Sequence, residues 1–394
     1  MKRLFFLLCS LVSVFSSHAK APEVSVLICG PGSNIYELEG HAGLLIDHPE
    51  YGKFVVNWGV FDFNSPNFVY RFVKGETDYM AAACSADGFI DAYKRQGRYV
   101  LKADIDLDSV QAEEVTRLVI ENIKPENRVY RYNYVYDNCA TRPMDVIEQV
   151  IGDTLSLDMA KGYGAGLATF RDVMRLHHAS YPWYQFGIDT ALGSGIDKPI
   201  TIREKRFAPT MLGEMLPLIA FPDGSPLVKS IGYAFGMPQE SPVLPPTPWY
   251  LTPLFWGWMV AGMALWVSVV QLGREPKFAR WFDTVYFILM GLEGLVLTFL
   301  IFISSHEATS PNWLYLWLNP LCFMGAIAPW LKRGKRLEIC YQSVNFALLT
   351  GLTVIFLLGI QSPNPAFWPL ILASALRALT NIYSSCRKNV RTAR

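Results

Sequence analysis

Five apolar runs follow Trp249, at 250–272, 281–303, 313–331, 345–360 and 366–379, and no other feature limits the fold so strongly. At 1.5 Å of helical rise per residue, crossing ~30 Å of hydrocarbon takes about 20 residues. The first two runs meet that length. The last two fall short, which leaves a re-entrant hairpin open beside two full spans. Basic residues sort between the connecting segments. Arg274, Lys277 and Arg280 follow the first run, Lys332, Arg333, Lys335 and Arg336 the third, and Arg387, Lys388, Arg391 and Arg394 the fifth. The segments 304–312 and 361–365 carry no Lys or Arg. That alternation reads as five spans with the basic loops in the cytoplasm. Trp249, Trp256, Trp258, Trp281, Trp313 and Trp317 stand near run ends, as interfacial anchors do.

The N-terminus implies the same orientation. Lys2 and Arg3 precede an apolar stretch at 4–15, and Ser17-His18-Ala19 fits a small-x-small cleavage site, so 1–19 reads as a signal peptide. Cys9 lies inside that stretch and is a poor lipid-attachment cysteine. Residues 20–245 then form a periplasmic domain, and 246–394 a multi-pass domain of about five helices in the inner membrane. Lys plus Arg number 35 against 34 Asp plus Glu, so the chain lacks the basic excess of a nucleic-acid binder. Hydrophobic residues make up 51%, which excludes a disordered chain. Neither a CxxC pair nor an HExxH motif occurs, so no metal and no cofactor is expected. The periplasmic domain keeps Cys29, Cys84 and Cys139, an odd set that leaves at least one free thiol.

Within that domain, 24–29 reads as a strand and 30–34 as a turn. Residues 40–47 and 54–63 read as a hairpin through the 49–53 turn, and 99–106 as a further strand. The 109–122 segment has helical spacing behind a capping Ser109. Residues 129–136 alternate, with Tyr130, Tyr132, Tyr134 and Tyr136 on one face, which predicts a strand and a packing stripe. Helical spacing resumes at 144–151. Cys139 therefore stands near a helix start, where backbone N–H groups and the macrodipole favour a thiolate and a developing oxyanion.

A nucleophilic cysteine needs a base. Of six histidines, His18 falls in the signal peptide and His306 between two apolar runs. His41, His48, His177 and His178 remain. His41 opens an apolar strand and is followed by the small residues Ala42 and Gly43, which ranks it first. Spacing alone leaves a chance pairing with Cys139 open. Asp172, His177 and His178 read as a solvated helix end. Asn57 and Asp62 are candidates to orient His41. They differ in strand parity, and the register of the turn decides between them. Arg142 suits a lipid phosphate by its fork geometry, or a salt bridge with Asp137 or Asp145.

Gly40-His41-Ala42-Gly43, then 57–63 (NWGVFDF), then Tyr136-Asp137-Asn138-Cys139-Ala140-Thr141-Arg142-Pro143-Met144-Asp145 resemble the Lnb family of Bacteroidota. Phe207-Ala208-Pro209, Ser305-His306-Glu307, Asn312 and Asn319-Pro320 fit the same pattern. Met144 stands where that pattern leads one to expect a basic residue. The resemblance implies an α+β chain, with a permuted NlpC/papain-like periplasmic domain followed by an all-α five-span transmembrane domain. It implies N-acylation of lipoproteins. Cys139 takes an acyl chain from a glycerophospholipid as a thioester and passes it to the α-amine of a diacylglyceryl-cysteine. His41 is the base, Asn57 is favoured as its orienting residue, and Asn138, Arg142 and His306 are expected at the substrate.

Two other readings stand beside it. A membrane-tethered NlpC-type cysteine peptidase or amidase of the cell wall shares the dyad but needs only one span. A non-catalytic assembly subunit or transporter accounts for the spans. It fits poorly with so few charges in them, namely Asp283, Glu293 and Arg377.

Overall fold

The computed structural model describes residues 20–62, 64–152, 154–240, 245–274, 277–331 and 334–392; the expected signal peptide lies outside the described residues. Chain contacts divide these into two units. The first holds 20–61, Asp78–Tyr163 and 202–240, and the second holds Asp62–Thr77, Gly164–Thr201 and 245–392. The division is not the single boundary near 245 expected from composition. Two excursions, 62–77 and 164–201, cluster with the apolar helices instead.

The first unit is α+β. Its sheet has seven antiparallel strands: β1 (Glu23–Cys29), β2 (His41–His48), β3 (Gly52–Val60), β4 (Asp78–Ser85), β5 (Val100–Ile105), β6 (Val129–Arg131) and β7 (Val228–Phe235). Their order is β6-β4-β3-β2-β1-β5-β7. The interior strand β1, between β2 and β5, is buried on both faces because its residues are apolar on both. Val24, Val26 and Ile28 join Leu44, Ile46, Val56 and Trp58 in the core, with Val115, Val119, Met144 and Ile147 from the helices Ser109–Asn122 and Thr141–Ile151. Leu27, Cys29, Leu45 and Val55 point the other way and meet Ala86 and Phe89 of the helix Ala86–Arg95. Trp58 is fully buried, and its Nε1–H donates to Asn122 Oδ1 at 2.8 Å, so its one polar atom is satisfied. The first helix is capped by Asp108 rather than Ser109, through a reciprocal box with Gln111.

The expected 129–136 strand stops at Arg131. The side chain of Asn133 accepts from the N–H groups of Val135 and Tyr136, and Asn133 and Asp137 bridge to close a turn. Local side-chain bonding wins over the alternating pattern. The tyrosine stripe is therefore broken, and Tyr134 and Tyr136 are largely exposed.

In the second unit three helices are long and apolar enough to cross a membrane: Pro253–Gly273, Lys277–Phe302 and Lys335–Leu357. A fourth long helix, Phe367–Thr392, turns polar in its second half. The run at 313–331 is not one helix. It forms 3-10 turns at Trp313–Leu316 and Ala328–Trp330 around a short helix at Cys322–Ile327. Pro320 and Pro329 lack the N–H that a continuous helix needs. The backbone of Asn319 also packs against Gly294, where a Cβ would lie 2.4–2.6 Å from its main-chain atoms. Of the two readings left open for the last two runs, the short re-entrant hairpin does not form; they lie in helices of 23 and 26 residues.

Buried charges in this unit are paired. Arg171 is fully buried, with Nε on Asp197 at 2.7 Å, Nη1 on Asp189 at 2.8 Å, and Nη2 on the carbonyls of Leu192 and Gly193. His178 is buried on Gln185, and Asp172 completes a capping box with Thr169, so 172–178 is not the solvated helix end expected. Arg377 grips Asp283 at 2.6 and 2.8 Å, and Ser268, Gln271 and Asn381 take the remaining valences. Glu293 is exposed on its helix. Removing one partner of such a buried pair strands a charge. Arg377→Met is expected to destabilise the chain by about 3–5 kcal/mol. Thermal unfolding in detergent checks this, and the double change Arg377→Met with Asp283→Leu should recover most of the loss.

Candidate active site

The site forms at the end of the sheet where β2 begins and β3 ends. The β2–β3 register pairs His48 with Gly52 and Gly43 with Asn57. Strand faces repeat every two residues, so Asn57 lies diagonally across from His41 on the same face. Asp62 falls beyond the last residue of β3 and accepts from the Asn64 N–H instead. The His41 Nε2–H donates to Asn57 Oδ1. A carbonyl oxygen only accepts, so Nε2 carries the hydrogen and Nδ1 is left for the thiol.

Gly40 sets the entry into β2. Its φ is +84°, and a Cβ there would come within 2.5 Å of the Cys29 carbonyl oxygen. Only glycine tolerates that turn. Cys29 is the cross-strand partner of His41, and burial pushes its thiol pKa well up, so it is a neutral wall of the site. At the end of β3 the pairing with β4 shifts, and Gly59 sits in the bulge. A Cβ on Gly59 would lie 3.9 Å from that of Cys139, which shows how closely the strand passes the cysteine.

Cys139 stands two residues ahead of the helix Thr141–Ile151. Asn138 fixes the turn. Its Oδ1 accepts from the N–H groups of Ala140 and Thr141 at 2.8 and 3.0 Å. Its Nδ2 donates to the carbonyls of Tyr134 and Phe207 at 2.7 and 2.9 Å. Every hydrogen-bonding valence aimed inward is used, so Asn138 builds the turn rather than meeting a substrate. Phe207, buried beside Tyr134, opens the Phe207-Ala208-Pro209 segment and thereby braces the cysteine turn.

Cys139 and the imidazole of His41 lie close enough for each to shift the other's pKa. Burial alone raises a thiol pKa. Here the His41 charge and hydrogen bond, with the backbone N–H groups of Ala42 and Cys139, outweigh burial and hold the thiol below its ordinary value. For His41, burial again acts against the charged form, yet the Cys139 thiolate and the Asn57 bond carry its pKa above the ordinary imidazole value. Each group thus moves its partner toward the charged form. Arg98 opposes the imidazolium by its own charge. Phe89 and Tyr93 wall the imidazole, and the Tyr93 ring lies nearly parallel to it at 6.4 Å between centroids. Neither Arg98 nor Tyr93 carries a motif signal. Only the placement of Phe89 and Tyr93 one helical turn apart hints that they share a face. Cys139 is buried, with 8% of the residue exposed.

The remaining candidates are spent elsewhere. Arg142 forks onto both carboxylate oxygens of Asp137 at 2.5 and 2.8 Å, and its guanidinium covers the Tyr130 ring at 3.5 Å. Asp145 is taken by Arg206 at 2.7 Å. His306 belongs to the second unit, where its Nε2–H donates to the Phe72 carbonyl at 2.7 Å. Met144 is fully buried in the main core, so no basic residue fits that position in this chain.

Comparison with known proteins adds two matches that follow one another along the chain, with 176–245 between them. No curated protein and no solved structure matches the sequence. Residues 16–175 match the family model described as the Lnb N-terminal periplasmic domain. Residues 246–389 match the Lnb transmembrane domain. The same two modules appear here in that order and contain the Gly40–Gly43 and Asp137–Asp145 stretches, so this is a membrane protein with a periplasmic part, and the chain belongs to the Lnb family.

Proposed function

We propose that this protein is a lipoprotein N-acyltransferase of the inner membrane, with Cys139 as nucleophile, His41 as base and Asn57 as the residue that orients His41. The observation that carries the reading is the His41–Asn57 hydrogen bond beside Cys139, with the thiol pKa lowered and the imidazole pKa raised despite burial. His41 before Cys139 in sequence accords with a permuted NlpC-type thiol fold. The basic segments after the first, third and fifth apolar runs support a reading in which the chain crosses five times with the site on the periplasmic side.

In the first half-reaction the Cys139 thiolate attacks an acyl ester carbonyl of a glycerophospholipid. The backbone N–H groups of Ala42 and Cys139, which help lower the thiol pKa, are the donors we assign to the oxyanion. Collapse breaks the ester C–O bond, and the His41 proton goes to the departing lysophospholipid alkoxide. In the second half-reaction the α-amine of a diacylglyceryl-cysteine attacks the thioester. Neutral His41 takes the amine proton, the amide forms, and Cys139 leaves as thiolate. Both substrates carry acyl chains whose extraction from lipid costs ~0.8 kcal/mol per methylene. A membrane-embedded enzyme avoids that cost.

Intact-mass analysis of the protein incubated with phospholipid should find one acyl adduct, mapped to Cys139 and absent from Cys139→Ser. Muropeptide cleavage without an adduct would instead favour the peptidase reading. Asn57→Ala should lower transfer by about 10²-fold, as a misplaced base does, with the fold unchanged by circular dichroism.

The electrostatics give a separate expectation. Iodoacetamide labelling of Cys139, followed by peptide mass spectrometry, should persist below the ordinary thiol pKa of ~8.5. In His41→Ala the lowering charge is gone and burial remains, so the labelling inflection should move upward. A wild-type inflection at or above that of the variant would remove the ion pair.

A further inference from the structure

The 62–77 excursion between β3 and β4 belongs to the second unit and contains the helix Phe68–Lys74. None of its residues is buried. Val69, Tyr70 and Phe72 are 73%, 55% and 47% exposed, a large apolar display for so short a helix. Its position in the unit is nonetheless fixed. The Ser304 hydroxyl donates to the Val73 carbonyl at 2.8 Å, and the Ser305 N–H to the Lys74 carbonyl at 2.8 Å. The Ser305 hydroxyl also reaches the Lys74 and Gly75 carbonyls at 3.0 Å, and His306 holds the Phe72 carbonyl. The Val73, Lys74 and Gly75 carbonyls lie at a helix C-terminus that lacks intrahelical donors, and the Phe72 carbonyl also accepts from the Gly75 N–H.

All these donors belong to the residues just past the Lys277–Phe302 helix, at the end opposite Lys277 and Arg280. The Tyr70 ring meets Phe299 at 6.0 Å between centroids. Phe299 is three residues, or ~4.5 Å of rise, from the end of that helix. A 26-residue helix is ~39 Å long against ~30 Å of hydrocarbon, so its last turn lies at the boundary between acyl chains and headgroups. Phe302 and Ile303, 67% and 53% exposed, extend the same apolar surface. The short helix is thus pinned at the depth where interfacial helices lie.

We propose that Phe68–Lys74 is an interfacial helix whose Val69, Tyr70 and Phe72 side chains rest among the acyl chains of the bilayer. The occupant is lipid, because the patch continues a surface that a spanning helix already gives to lipid. Lys74, paired with Glu76 at 2.7 Å, lies at the same end as the bonds to 304–306, where headgroup-level polarity is expected. The inference stands independently of acyl transfer, since it concerns where the chain meets the membrane and not what Cys139 does.

The test uses the full chain in nanodiscs holding one protein each. Exposed Cys84, Cys340 and Cys386, together with Cys139, are first replaced by Ser. An environment-sensitive fluorophore is then attached to Val69→Cys, and separately to Phe302→Cys and Lys161→Cys. Lipids spin-labelled near the headgroup end of the acyl chain serve as quenchers. Blue-shifted emission that the spin label quenches is expected at Val69 and Phe302. Lys161, 77% exposed by its side chain in the first unit, should report water. Water-like emission at Val69 beside quenched Phe302 overturns the proposal. A blue shift at Val69 that the spin label leaves untouched also overturns it, because protein then covers the patch. Retained acylation by the protein with its native cysteines, whatever the fluorescence shows, separates this inference from the proposed reaction.

Discussion

A separated charge pair survives in a dry site only where each charge meets fixed partners. Cys139 and His41 meet that condition through the backbone. Two N–H groups and an imidazole serve the sulfur, and Asn57 serves the far side of the ring. Each donor is held by something upstream. Ala42 is fixed because Gly40 lets β2 start where it does, Asn57 because the hairpin register puts it diagonal to His41, and Cys139 because Asn138 ties its turn to two carbonyls and two N–H groups. The sheet acts as a jig. A slip of one residue between β2 and β3 would turn Asn57 to the opposite face and leave the ring unheld.

The second unit obeys the same rule without the chemistry. Arg171 and Arg377 are the largest charged side chains in its interior, and each ends in a set of acceptors that matches its fork. Asn312, Gln361 and Asn364 continue the pattern among loop backbones: Asn312 and Gln361 bond each other, and Asn364 donates to Asp189. Residues that look functional from their type, in or beside spans, are here the joints of the fold. Buried polar groups in membrane proteins often mark a pathway. Full pairing, as at Asp283, removes the vacancy that a pathway would need.

The sequence made the helices, the hairpin and the Cys139 turn legible, because period and capping are local signals. The tyrosine alternation at 129–136 misled for an equally local reason, the side chain of Asn133. The broken segment at 313–331 was marked by Pro320 and Pro329, yet apolar composition alone favoured a span. His41 was legible from its small neighbours, whereas the choice of Asn57 over Asp62 waited on a register that no residue announces. Arg142 and Asn138 show the opposite limit. Their types suit a substrate, and only coordinates reveal that Asp137 and two backbone carbonyls already occupy them. The excursion at 62–77 was invisible because its loyalty to the second unit comes from backbone hydrogen bonds to 304–306.

Arg98 bears on how the proposed reaction turns over. Its guanidinium is buried, bonded to the Gly30 carbonyl and Glu37, and lies over the Tyr93 ring at 4.7 Å, with that ring parallel to His41. In the resting pair burial and Arg98 act against the charged imidazole, and the Cys139 charge with the Asn57 bond outweighs them and raises the His41 pKa. Acylation removes the thiolate. What then acts on the imidazolium is burial and Arg98, both driving the proton off, against the single bond to Asn57. His41 thus becomes a stronger acid as the leaving alkoxide needs a proton, and a neutral base as the incoming amine must lose one. The step that forms the thioester also resets the base, and the switch uses no moving part beyond one charge that appears on sulfur and disappears again.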